Sequence, residues 1–182
     1  ASVLIWSCGN ESFGGDVIFE MSRKFRQLDD TRLVHYEGVA HDRRHNDTTD
    51  MESQMYTPVA KIKEYLAEHR ERPFILCEYT HAMGNSNGAM HWYTEYAYEE
   101  PLYQGGFIWD FADQALAWRS PEGRLTYRYG GDYNDTDASD STFCCNGVLA
   151  SDRSWHPHAY EVKHQHRPIH TTPRDLKNGV VN

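Results

Sequence analysis

A chain of 182 residues is one domain by length and long enough to bury a core. It is 39 % hydrophobic and 13 % aromatic, with five Trp and twelve Tyr, which excludes a disordered tail. A formal charge of −9 argues against a broad nucleic-acid or anionic-membrane footprint and is compatible with a neutral, sugar-like substrate.

The first element is "SVLIWSCGNE", an apolar run ending in polar residues, the pattern of a strand buried on both faces. In "DVIFEMSRKFRQLDD", Val17, Ile18, Met21, Phe25 and Leu28 fall on one helical face, with Asp16 placed to cap the start. "RLVHYEGV" reads as a second strand and "DMESQMY" as a weaker third. Pro58 then stands where helices begin, and "VAKIKEYLAEHRE" sets Val59, Ile62 and Leu66 on one face. "PFILCEY" is the clearest strand, "GAMHWYTEYAYEE" a further helix ended before Pro101, and "GGFIWDF" a fifth strand.

This alternation predicts βα units and a parallel sheet, either open and doubly wound or part of a barrel. No GxGxxG or GxxxxGK[ST] follows a strand, which weighs against nucleotide-binding folds. Beyond about residue 115 the helical rhythm stops, and the Gly- and Asp-rich remainder reads as ordered loops packed over the sheet.

Of the four cysteines, Cys8 and Cys77 sit in apolar runs, and Cys144 and Cys145 are adjacent. Without CxxC spacing, the reading is reduced thiols in a cytoplasmic protein. No apolar run approaches the ~20 residues of a membrane helix. Both ends read as cut from a longer chain.

Four strands carry a carboxylate at or near the C-terminal end: Glu11, Glu37, Glu78 and Asp110. Glu52 lies within the fifth. In a parallel barrel those ends share the face where active sites are built. Converging acids repel, so one is expected to stay protonated beside an ionised partner, as glycosidic cleavage requires. Acids at strand ends also serve as caps and loop anchors, and spacing does not choose among the five. His81 reads as a loop hydrogen-bonder or an actor, and Trp109 as core or a sugar-stacking platform. "HPH" (156 to 158) and "KHQH" (163 to 166) lack a third metal ligand at a fixed offset.

"SVLIWSCGNES", "FILCEYTHAMGNS", "QGGFIWDFADQAL", "YGGDYND" and "FCCNGVLASDR", in this order, closely resemble glycoside hydrolase family 2, in particular its large cytosolic β-galactosidases. The resemblance runs through essentially the whole chain. It implies a (β/α)8 TIM barrel of which this chain holds strands 4 to 8. Residues 1–165 would be the C-terminal part of the barrel, with a loop-rich extension, and 166–182 the start of a following β-sandwich.

The resemblance also assigns roles. Glu11, after Asn10, would be the acid/base and Glu78 the nucleophile of a retaining mechanism, with Tyr56 hydrogen-bonded to the nucleophile. Asn10 would hold the sugar 2-hydroxyl, His81 another galactose hydroxyl, and Trp109 would wall the pocket. Two metals are implied. Of the magnesium ligands only Glu11 is present. The sodium site would use the Phe143 carbonyl and Asn146, the latter also bordering the substrate.

One departure is Phe13, where the family often shows Gly, which puts a ring near the acid/base. The implied substrate is a terminal β-galactoside such as lactose. The alternatives are a β-glucuronide or β-mannoside enzyme, or a non-catalytic piece that self-associates or joins the missing parts.

Overall fold

The computed structural model describes residues 2–182. Five parallel strands alternate with helices: β1 (Ile5–Ser7), α1 (Asp16–Leu28), β2 (Leu33–His35), β3 (Glu52–Met55), α2 (Val59–Glu68), β4 (Phe74–Tyr79), α3 (His91–Glu99) and β5 (Tyr103–Ile108). β1 pairs with β2, and β3–β4–β5 form a second parallel ladder. Asp50 bridges the two. Its N–H donates to the Val34 carbonyl at 2.9 Å, and its carboxylate accepts the Val34 N–H at 2.6 Å and Arg26 Nη2 at 2.7 Å.

The main core lies between the second ladder and its helices. Ile62 and Leu66 of α2 and Tyr96 of α3 pack on Phe74, Leu76, Tyr79 and Tyr103. Each fully buried large apolar side chain is worth ~1.5–3 kcal/mol, so this cluster anchors the β3–β4–β5 unit. A smaller one gathers Cys8, Val34, Tyr36 and Val39 under Ile18, Met21 and Phe25 of α1.

Three expectations change. The helix starts at Asp16 itself, preceded by Gly15, and the Asp16 carboxylate meets His45 Nε2 at 2.6 Å instead of capping. Val17 and Leu28 are exposed, because the buried stripe of α1 runs through Ile18, Ser22 and Phe25. Leu4 is exposed as well, since β1 pairs on one side only.

The remainder is also more regular than loops. An antiparallel hairpin joins β6 (Leu116–Arg119) to β7 (Leu125–Arg128), and α4 (Ala159–Gln165) follows. A small hairpin of β8 (Pro173–Asp175) and β9 (Val180–Val181) closes the chain. β6 and β7 escaped notice because each runs over only four positions, too few for a period of two to stand out. Among the described residues, no helix is long and apolar enough to cross a membrane.

Candidate active site

β4 holds the decisive geometry. Phe74 and Leu76 point to the helices and are fully buried, while Ile75 and Cys77 line a cavity of about 550 Å³ on the other side. Strict alternation would send residue 78 back to the helix side. The β3–β4 register instead jumps from Gln54↔Leu76 to Met55↔Glu78, leaving Cys77 as an extra residue. Such a bulge re-aims the side chain after it. Glu78 therefore joins Cys77 on the cavity wall, and Tyr79 takes the buried position against the helices.

The same slip brings Tyr56 beside Glu78. The Tyr56 N–H donates to the Glu78 carbonyl at 2.9 Å, and its hydroxyl donates to Glu78 Oε2 at 2.6 Å. Tyr56 holds a left-handed backbone, φ 54°. Its phenol is pushed well above the ordinary tyrosine value, first by burial, then by the hydrogen bond to and charge of Glu78, with smaller contributions from Cys77 and Glu11. Burial likewise pushes the Cys77 thiol up to about 11, helped by the charges of Glu37 and Glu78.

Glu11 leaves β1 with φ 50° and its N–H donates to Glu37 Oε1 at 2.6 Å. It lines a second cavity of about 490 Å³ with Phe13, Gln54 and Met55. Glu37 is buried and borders both cavities, so the sites of Glu11 and Glu78 are neighbours across one carboxylate. Phe13 stands beside Glu11 as expected, its carbonyl accepting from the Tyr36 hydroxyl.

Asn10 and Trp109 line the Glu78 cavity. His81 follows β4, its ring 5.8 Å from that of Tyr56 and 5.6 Å from that of Phe143. Asn146 is fully buried, and neither atom of its carboxamide has a hydrogen-bond partner. Its position depends on Gly147: a Cβ there would lie 2.2 Å from the Asp113 nitrogen and 2.3 Å from the Ala112 carbonyl carbon. Only glycine permits that crossing, which the Asp110 N–H closes on the Asn146 carbonyl at 2.8 Å.

The other acids separate by partner. Glu52 is buried and gripped by Arg43 through two 2.8 Å bonds, with Gln54 Nε2 also donating. Burial alone would raise its pKa, but Arg43 and Gln54 outweigh that and lower it. Asp110 accepts from Phe111 N–H and Gln114 Nε2.

A buried carboxamide oxygen without a hydrogen-bond partner is a hard oxygen donor of the kind sodium takes, so the Asn146 side chain fits that ion. Magnesium is different. Among the described residues no three His, Cys, Asp or Glu side chains converge as a metal site, so the residues present do not fit it. His156 and His158 are instead bound to the Asp113 carboxylate and the Gly147 carbonyl.

Sequence reasoning missed His35. Nδ1 lies 3.0 Å from Ser7 Oγ and Nε2 2.7 Å from Ser53 Oγ, so one ring ties β1, β2 and β3 together on the cavity floor. Its place two residues before Glu37, with which it borders the cavity, was the available signal.

Residues 1–171 match the family model described as "Glycosyl hydrolases family 2, TIM barrel domain". The chain belongs to glycoside hydrolase family 2. It is 50 % identical over 180 residues to a β-galactosidase of Halalkalibacterium halodurans, covering 99 % of this chain and 18 % of that protein. A β-galactosidase of Clostridium acetobutylicum is 48 % identical over 181 residues, covering 100 % of this chain and 20 % of that one. The chain thus spans about a fifth of the length of these family 2 relatives.

Among solved structures, a family 2 member from Bacteroides cellulosilyticus matches with a TM-score of 0.61 at 18 % identity, over 92 % of this chain and 20 % of that one. At that identity the likeness concerns the fold alone: an α/β, TIM-barrel type.

Proposed function

We propose that this chain carries the catalytic carboxylates of a retaining β-galactosidase. The observation that supports this most is the 2.6 Å hydrogen bond from Tyr56 to Glu78, at the rim of a cavity that also holds Asn10 and Trp109. A charge-assisted bond of that length orients one carboxylate oxygen and leaves the other free to attack.

Glu78 attacks the anomeric carbon while Glu11 protonates the departing glycosidic oxygen. Glu11 then takes a proton from water as the glycosyl ester is hydrolysed. Asn10 holds the 2-hydroxyl, His81 a second hydroxyl, and Trp109 covers the apolar face of the ring. Sodium would be held by the Phe143 carbonyl and the Asn146 side chain, and would supply a positive charge for a sugar hydroxyl. Asn146 borders the substrate in the same reading. Magnesium, for which only Glu11 is a ligand here, enters no step.

In this reading the five strands are strands 4 to 8 of the barrel, residues 1–165 its C-terminal part, and 166–182 the entry to a β-sandwich. Phe107, 61 % exposed on the cavity side of β5, is the surface that the remaining barrel strands or a second copy of this chain would cover. That exposure favours a second reading, a fragment that associates before it acts. The parent would act on lactose-like β-galactosides in the cytoplasm.

The test is hydrolysis of chromogenic aryl β-galactoside, β-glucuronide and β-mannoside by the purified chain, with Glu78→Gln beside it and its assembly state measured by sedimentation. Turnover of the galactoside alone, lost in the variant, supports the proposal. Turnover surviving in Glu78→Gln, or preference for another sugar, rejects it.

A further inference from the structure

The Sγ atoms of Cys144 and Cys145 lie 3.7 Å apart in consecutive residues. All four cysteines are free, and the other two are placed elsewhere: Cys8 is buried under α1, and Cys77 Sγ donates to the Gln54 carbonyl in the sheet. Cys145 is exposed and opens on a cavity of about 700 Å³ whose wall includes Asn87, His156, His158 and Glu161. That cavity admits a small peptide-like molecule to one sulfur of the pair. Cys144, its neighbour in sequence, is the less exposed of the two.

The geometry points to Cys144 and Cys145 as a reversible dithiol modification site, closed into a vicinal disulfide by a low-molecular-weight disulfide such as oxidised glutathione. The Cys145 sulfur attacks one sulfur of the oxidant and expels the first thiol. The Cys144 sulfur then attacks the Cys145 sulfur and expels the second. One S–S bond breaks and one forms, and the two protein S–H protons leave on the two released thiols. The protein is oxidised by two electrons and the oxidant reduced by two.

The bridge would be a switch instead of a staple. Adjacent Cα atoms across a trans peptide are held ~3.8 Å apart, whereas ordinary disulfides span ~4.4–6.8 Å. Closure must therefore twist the 144–145 peptide, and strained bridges are the readily reduced ones. The twist acts on two backbone bonds, Gln114 N–H to the Cys144 carbonyl at 2.9 Å and Asp110 N–H to the Asn146 carbonyl at 2.8 Å. Those bonds hold the segment carrying Asn146.

The experiment incubates the 182-residue chain with oxidised glutathione, blocks remaining thiols, and reads the digest by mass spectrometry, with amide exchange in parallel. The expected result is one Cys144–Cys145 bridge, two glutathiones released per bridge, faster exchange at Asp110 and Gln114, and full reversal by a reductant. Cys144→Ser should stop at a glutathione adduct on Cys145, and Cys145→Ser should leave Cys144 unmodified. A stable glutathione on Cys145 of the unaltered chain, a bridge between two copies, or a pair still reduced after Cys77 has reacted would overturn the inference.

Discussion

The Tyr56 hydroxyl donates to Glu78 Oε2 at 2.6 Å, and the same two residues pair through the backbone at 2.9 Å. The backbone contact fixes where the phenol stands, so the side-chain bond needs no further ordering to form. A hydrogen bond to a charged group is worth ~1.5–3 kcal/mol, and one serving the reacting carboxylate translates into ~10–100-fold in rate. Tyr56→Phe should lower kcat on an aryl β-galactoside by that factor with the fold intact by circular dichroism. An unchanged kcat would mean the bond does not serve the reaction.

The phenol reports on the same pair. Burial and the Glu78 charge both hold its pKa high. Glu78→Gln removes the charge and leaves the burial, so the Tyr56 pKa should fall while staying above that of a free tyrosine. A titration of specifically labelled Tyr56 by NMR measures it, and a rise would contradict the assignment of cause.

Glu11 as the acid/base predicts dependence on the leaving group. General acid catalysis contributes ~10²–10⁴-fold where the departing oxygen needs a proton. Glu11→Gln should cost that much on an alkyl galactoside and far less on a nitrophenyl one, whose phenolate leaves unaided. Equal losses on both substrates would remove Glu11 from that role.

His35 supplies a pH dependence of stability. Burial lowers its pKa below the ordinary histidine value, opposed by the charge of Glu37. A lowered histidine pKa means the unfolded chain binds the extra proton first. Stability is then whole above pH ~6.5 and is lost as pH falls from there towards the folded-state pKa. Urea midpoints between pH 7.5 and 5 should show that slope, and His35→Gln should flatten it. An identical slope in the variant would place its source elsewhere.

Arg43 and Glu52 test the acids held by partners. The Glu52 side chain is buried while Arg43 is 44 % exposed, so the pair is only half out of water. Arg43→Ala removes both guanidinium bonds from the carboxylate while Gln54 Nε2 still donates to it, at a cost of ~2–3 kcal/mol. Urea denaturation measures it, and a loss within ~0.5 kcal/mol would mean solvent replaces the guanidinium freely.

The βα rhythm was legible because it is local. Val59, Ile62 and Leu66 repeat at helical spacing, and α2 buries that face. α1 was legible only in part: Val17 and Leu28 fit the same period, yet lie outside the stripe that β2 covers. The order of the matched blocks carried the family, which the match over residues 1–171 bears out. The five strand-end acids could not be ranked in advance. What separates Glu52 from Glu78 is a partner, Arg43 nine residues before the one and Tyr56 across the ladder from the other.

By itself, the sequence carried the alternation of strands and helices up to β5 and the apolar face of α2, since those follow from spacing along one chain. It did not determine that Glu78 faces the cavity. Counting by twos from Phe74 and Leu76 puts residue 78 against the helices, among the core residues. Only the register slip opposite Gln54 and Met55 turns it inward, and a slip is a property of two strands together. Pairing with β3 makes Cys77 the extra residue, and that one residue moves Glu78 from the core side of β4 to the wall where its carboxylate meets Tyr56.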